Sequence, residues 1–186
     1  MQITQVEVIP VDLKLHHPVH MAGYSAIKLI QAVFIRMETR QGQNAWGCAV
    51  AHPDLTGESI ESLLAACQDC AAAAPGLHPT NIEYSLAEIT SVAGQSKGAM
   101  CAFDLAFHDL LGLASGLPLY RLLGGYRSTI QTSVTIPLGS VEEGVSLAGE
   151  RARSGFRMMK IKGGLDPELD VDVLDFSGND LVFSFR

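Results

Sequence analysis

No stretch of the chain reaches the roughly 18–20 unbroken apolar residues that a bilayer-spanning helix requires. The N-terminus also lacks the marks of a secretion signal. Met1-Gln2-Ile3-Thr4-Gln5-Val6-Glu7-Val8-Ile9-Pro10 has no basic start and no continuous apolar core, and it reads as an alternating strand. These absences predict a cytoplasmic protein with no membrane partner. Cysteine is scarce: Cys48, Cys67, Cys70 and Cys101 are too few for a disulfide-stapled scaffold, and reduced thiols are expected. Basic residues are outnumbered, 13 Lys and Arg against 20 Asp and Glu, for a formal charge of -7. That balance excludes a general nucleic-acid binder, which needs a basic face to displace phosphate counterions. A local Lys cluster can still meet an anionic small molecule. Two motifs are missing altogether: the phosphate loop G-x-x-x-x-G-K-[ST] and the dinucleotide fingerprint G-x-G-x-x-G. There is no internal repeat.

What remains is a folding sequence. Of its 186 residues 47% are hydrophobic, and the mean hydropathy is +0.21. That composition excludes disorder, and the length suits one domain plus part of another. Residues 1–15 alternate, 16–26 contain Pro18 and Gly23 and predict a loop, and Lys28–Thr39 and Ala45–Ala51 flank a turn at Gln41–Asn44. Three strands with short connections imply an antiparallel meander. Helical spacing then takes over from Ile60 to Pro75 and from Asn81 to about Ile89. It is strongest over Lys97–Ser115, where Ala99, Met100, Phe103, Ala106, Phe107, Leu110 and Leu113 recur every three or four residues. Gly116 and Pro118 end that helix, and a short amphipathic turn closes at Gly124-Gly125.

The rhythm changes after residue 125. A β-rich run ends at Ile136, Ser140-Val141-Glu142-Glu143 is a capping box, the helix it opens runs to Ser154, and Phe156–Lys162 is a second β-rich run. Asp166-Pro167-Glu168 opens a third helix. This βαβα order implies a parallel sheet with crossover helices, of which two strands are present. The segment 173–185 loses clear periodicity and is compatible with a hairpin. The fold class expected is therefore an α+β domain over 1–125 (a three-stranded antiparallel meander plus helices). Residues 126–186 would form the first two βα units of a truncated barrel with an aberrant tail.

Met159-Lys160-Ile161-Lys162-Gly163-Gly164 is the most informative short segment. On a strand, Lys160 and Lys162 share one face about 7 Å apart, with Met159 and Ile161 turned toward a covering helix. Two ammonium groups in a partly desolvated pocket each favour loss of a proton from the other, the character a general base needs. The same spacing also suits the solvated face of an edge strand. Position favours chemistry, because the pair ends a parallel strand before a Gly-Gly loop, where barrel enzymes gather their active sites. Other candidates read as structure. Cys67-Gln68-Asp69-Cys70 lies within an apolar helical pattern. His16-His17-x-x-His20 contains Pro18 and has no carboxylate or thiolate beside it, which suits a polar loop. His108 lies on the polar side of its helix with Lys97, Cys101 and Asp104.

Gly98-Ala99-Met100-Cys101-Ala102-Phe103-Asp104-Leu105-Ala106-Phe107-His108-Asp109-Leu110-Leu111-Gly112, followed by Gly116-Leu117-Pro118-Leu119-Tyr120-Arg121-Leu122-Leu123-Gly124-Gly125, resembles the end of the capping domain in the enolase superfamily. Thr132-Ser133-Val134-Thr135-Ile136 and Lys160-Ile161-Lys162-Gly163 resemble the first two barrel strands of its muconate-lactonizing and mandelate-racemase-like subgroup. Together with Thr56-Gly57-Glu58-Ser59, they lean toward the dipeptide epimerases of the Ala-Glu type. The resemblance implies an isomerase that removes a proton next to a carboxylate, with Mg²⁺ stabilising the enediolate. Lys162 would be the acid/base on one face of a small carboxylate or dipeptide substrate, with Lys160 supporting it. His20 and Tyr24, in the loop at 16–26, and Thr135 would bind substrate, and the region from Trp46 to His52 would help close over it.

Departures from the pattern accompany it. The family's metal carboxylates lie on the third to fifth barrel strands and its partner Lys on the sixth, so no Mg²⁺ is expected to bind this chain and no metal ligand is assigned. Cys48 stands where relatives often have Glu, and His108 where they often have Trp. The expectation is an N-terminal fragment without turnover, or alternatively a non-catalytic, self-associating remnant. Open sheet edges favour a homo-oligomer.

Overall fold

In the computed structural model, residues 1–19, 25–162 and 168 are described. The chain divides into two units. Met1–Lys14 with Leu29–Tyr126 make the first, and Leu15–Lys28 with the chain from Arg127 onward make the second.

Strands β1 (Ile3–Val19), β2 (Ile27–Thr39) and β3 (Asn44–Val50) form a sheet in the order β1-β2-β3, and the first unit contains β1 as far as Lys14, β2 from Leu29 and all of β3. Antiparallel pairing sets Ala32 opposite Val50, Phe34 opposite Cys48 and Arg36 opposite Trp46. Burial alternates accordingly. Val33, Ile35 and Met37 of β2 and Ala45 and Ala49 of β3 are buried, whereas Trp46 and Val50 are exposed. The turn between β2 and β3 uses Gly42 at φ +78°, and the Thr39 hydroxyl accepts from the Gln43 N–H at 3.2 Å. Strand β1 runs on to Val19 through residues that the sequence pattern assigns to a loop. It is an edge strand, a position in a sheet that tolerates prolines such as Pro10 and Pro18.

Helices α1 (Pro53–Thr56), α2 (Ile60–Ala73), α3 (Ile82–Ala93) and α4 (Lys97–Ser115) follow, with the short α5 (Leu119–Leu122). Helix α4 starts at Ser96, whose hydroxyl accepts from the Ala99 N–H at 3.1 Å. The Glu58 carboxylate accepts from the Gly98 N–H at 3.1 Å and from the Ser96 hydroxyl. A carboxylate there answers both the unpaired amides and the positive end of the helix dipole. Gly116, at φ +66°, ends the helix as expected.

Helix α4 packs on β3 through small residues. A Cβ placed on Gly47 would lie 1.9 Å from the Ala102 carbonyl oxygen, so only glycine permits this approach. Ala99, Ala102, Phe103, Ala106, Phe107 and Leu110 of α4 are fully buried. Leu113, expected on the same stripe, is 46% exposed. Cys67 and Cys70 belong to this core, as their helical setting implies. Burial pushes the Cys67 thiol up to about 12 and the Cys70 thiol up to about 11.

In the second unit, β4 (Ser133–Ile136) and β5 (Met158–Ile161) pair in parallel, joined by helix α6 (Val141–Arg153). Both strands are shorter than the β-rich runs around them. The capping box at Ser140 is present in full: its hydroxyl accepts from the Glu143 N–H at 3.2 Å, and the Glu143 carboxylate accepts from the Ser140 N–H at 3.1 Å. Ile136, Ala148, Met159 and Ile161 form a small core. Glu168 is helical. The rest of the expected third helix, and the segment 173–185, lie outside the described residues.

Candidate functional site

The register of β4 on β5 fixes which side chains meet. Thr135 lies opposite Lys160 and Ile136 opposite Ile161. Because Met159 and Ile161 are buried against α6, Lys160 and Lys162 take the other face of the strand, together with Thr135. The Lys162 N–H donates to the Ile136 carbonyl at 3.0 Å, so the parallel ladder holds the backbone that carries this side chain. Both lysines are half-buried and Thr135 is exposed. Neither lysine side chain has a hydrogen-bond or ion-pair partner among the described residues.

A cavity of about 670 Å³ within the second unit brings Thr135 and Lys162 together with His16, Glu150 and Arg151. Lys160 does not line it. Apolar side chains such as Leu15, Val19 and Leu147 complete the wall. That size suits a small organic ligand, and its few polar groups against an apolar wall are the usual make-up of such sites. His20 and Tyr24, the two other substrate-binding candidates, lie outside the described residues.

Glu150 and Arg151 were not singled out from the sequence. The signal was present, since Leu147, Glu150 and Arg151 share one face of α6 by helical spacing. The Arg151 guanidinium lies 3.7 Å from the Glu150 carboxylate, and its Nε–H is buried without a hydrogen-bond acceptor among the described residues. His108 has a structural setting: its Nδ1 lies 2.9 Å from the Asp104 carbonyl oxygen and 3.1 Å from the Asp104 carboxylate, one helical turn back.

Among the described residues, no three His, Cys, Asp or Glu side chains gather as they would have to around a metal ion. The described residues therefore do not fit a Mg²⁺ site by themselves. No helix among them is long and apolar enough to cross a membrane. The first unit has a separate groove of about 720 Å³ along β3 and α4, lined in part by Trp46 and Cys48 from the region expected to help close over substrate, and by none of Thr135, Lys160 and Lys162.

Residues 3–124 match the family described as mandelate racemase / muconate lactonizing enzyme, N-terminal domain. The chain belongs to this family. Over 175 residues it is 33% identical to the L-Lys-D/L-Arg epimerase of Desulforapulum autotrophicum, covering 92% of this chain and 49% of that protein. It is 30% identical to the L-Ala-D/L-Glu epimerase of Bacillus subtilis, covering 89% of this chain and 45% of that one. The crystal structure of a dipeptide epimerase from Enterococcus faecalis, complexed with Mg and the dipeptide L-Leu-L-Tyr, superposes with a TM-score of 0.93 at 28% identity. That match covers all of this chain and 53% of the other. The chain thus spans about half the length of the curated relatives it matches. The capping-domain architecture that the sequence resemblance implied, antiparallel strands followed by helices, is the fold of this family's N-terminal domain.

Proposed function

We propose that these residues form the N-terminal part of a dipeptide-epimerase-like isomerase, with residues 1–125 as its capping domain. Lys162 acts as the acid/base that takes and returns the proton next to a substrate carboxylate. The observation that carries this reading is the position of Lys162: it follows a parallel strand, lines a ligand-sized cavity with Thr135, and has no ion-pair partner among the described residues. An amine so placed can reach a proton on a bound small molecule. Thr135 supplies a hydroxyl to substrate, and His20 and Tyr24 supply further contacts. Lys160, beside Lys162 on the same strand face, adds positive charge near a developing carbanion without lining the cavity. An L-Ala-L-Glu type dipeptide is the substrate that the motifs favour.

Loss of a proton next to a carboxylate builds up a dianion, whose stabilisation is the largest demand of such a reaction. A Mg²⁺ cradle of three carboxylates would meet that demand in the longer relatives' chemistry, and the described residues do not form one. These 186 residues alone are therefore proposed to lack turnover.

The test follows exchange of the substrate α-proton with solvent deuterium by NMR, using L-Ala-L-Glu and Mg²⁺. The chain alone is expected to show background exchange. Mixing it with the portion of the Bacillus subtilis epimerase that this chain does not span is expected to raise the rate, and Lys162→Ala to abolish that gain. A gain that survives Lys162→Ala overturns the role of Lys162. Exchange by the chain alone overturns its inactivity.

The runner-up is a non-catalytic, self-associating protein. What favours it is a two-stranded sheet with open edges among the described residues, together with Leu123, Tyr126 and Ile130, which are 70%, 91% and 79% exposed. We propose self-association of this chain on either reading. Light scattering at micromolar concentration is expected to give at least the mass of a dimer, and a clean monomer overturns it.

A further inference from the structure

We draw no further inference here: the strongest candidate, the apolar groove of about 720 Å³ along β3 and α4 that includes Phe34, Trp46, Leu105 and Leu113, carries nothing because nothing in the structure shows what covers it.

Discussion

The two units bury very different amounts of apolar side chain. Among the described residues, the first gathers eighteen buried hydrophobics into one cluster and the second gathers four. The first cluster includes Phe103, Phe107, Ile35, Met37 and Leu63, all with no exposed surface, drawn from strands and helices alike. The second rests on one helix against two four-residue strands. Burial of an aliphatic or aromatic side chain stabilises by about 1.5–3 kcal/mol. Among the described residues the first unit is therefore the better held, and the second is the marginal one. The proposed chemistry sits in the marginal one, so the position of Lys162 depends on the part of the protein with the least packing behind it.

The sharpest way to break this contrast is a pair of matched cavities. Phe103→Ala is expected to cost about 3–5 kcal/mol and to bring the first unit close to unfolding in urea. Met159→Ala removes a comparably buried side chain from the second unit. Its expected effect is loss of amide hydrogen-exchange protection in β4, β5 and α6, with the main urea transition unmoved. Equal shifts of that transition by both variants would show one cooperative structure and erase the distinction.

Next in size is the response of the first unit to alkali. Cys67 and Cys70 are held as thiols, their folded values raised by burial to about 12 and about 11. In the unfolded chain a thiol ionises near pH ~8.5. The sign follows from linkage: the folded state keeps protons that the unfolded state gives up, so stability is full below about pH 8.5 and falls as pH rises toward the folded values. Urea midpoints between pH 8 and 10.5 are expected to decline, and Cys67→Ala/Cys70→Ala should flatten that decline whatever it costs at neutral pH. Iodoacetamide at pH 8 is expected to modify exposed Cys101 and half-buried Cys48 in the folded protein, and Cys67 and Cys70 only on unfolding. A midpoint that holds steady to pH 10.5 would contradict the burial argument.

The smallest of these effects sharpens the contrast within the first unit. Ser96→Ala removes the hydroxyl cap of α4 and is expected to cost about 1 kcal/mol, read as a urea midpoint shift with an unchanged slope.

Much of the first unit was legible because its devices are local. Ser59 and Ser96 in the first unit, like Ser140 in the second, each stand one residue before a helix, and each hydroxyl accepts a backbone hydrogen bond there. The stripe on α4 from Ala99 to Leu110 is the buried one. What the pattern missed depends on tertiary position. Strand β1 continues past Pro18 because it lies at a sheet edge, and nothing in the local sequence says which strand is the edge. Leu113 matches the core spacing yet borders a groove, since periodicity assigns a face and not what lies against it. In the candidate site, the shared face of Lys160 and Lys162 follows from strand alternation. The cavity around Lys162 does not, because Glu150 and Arg151 come from a helix and His16 from a distant strand. Only the fold unites them.

The junction of β3 with α4 has almost no clearance. With Gly47 against the Ala102 carbonyl, the two backbones are spaced as if by a machinist's gauge, and one carbon atom exceeds the tolerance. A library randomised at that position should therefore sort by bulk and not by polarity, serine failing beside valine. Any attempt to redesign this protein's outer surface has to leave that dimension untouched.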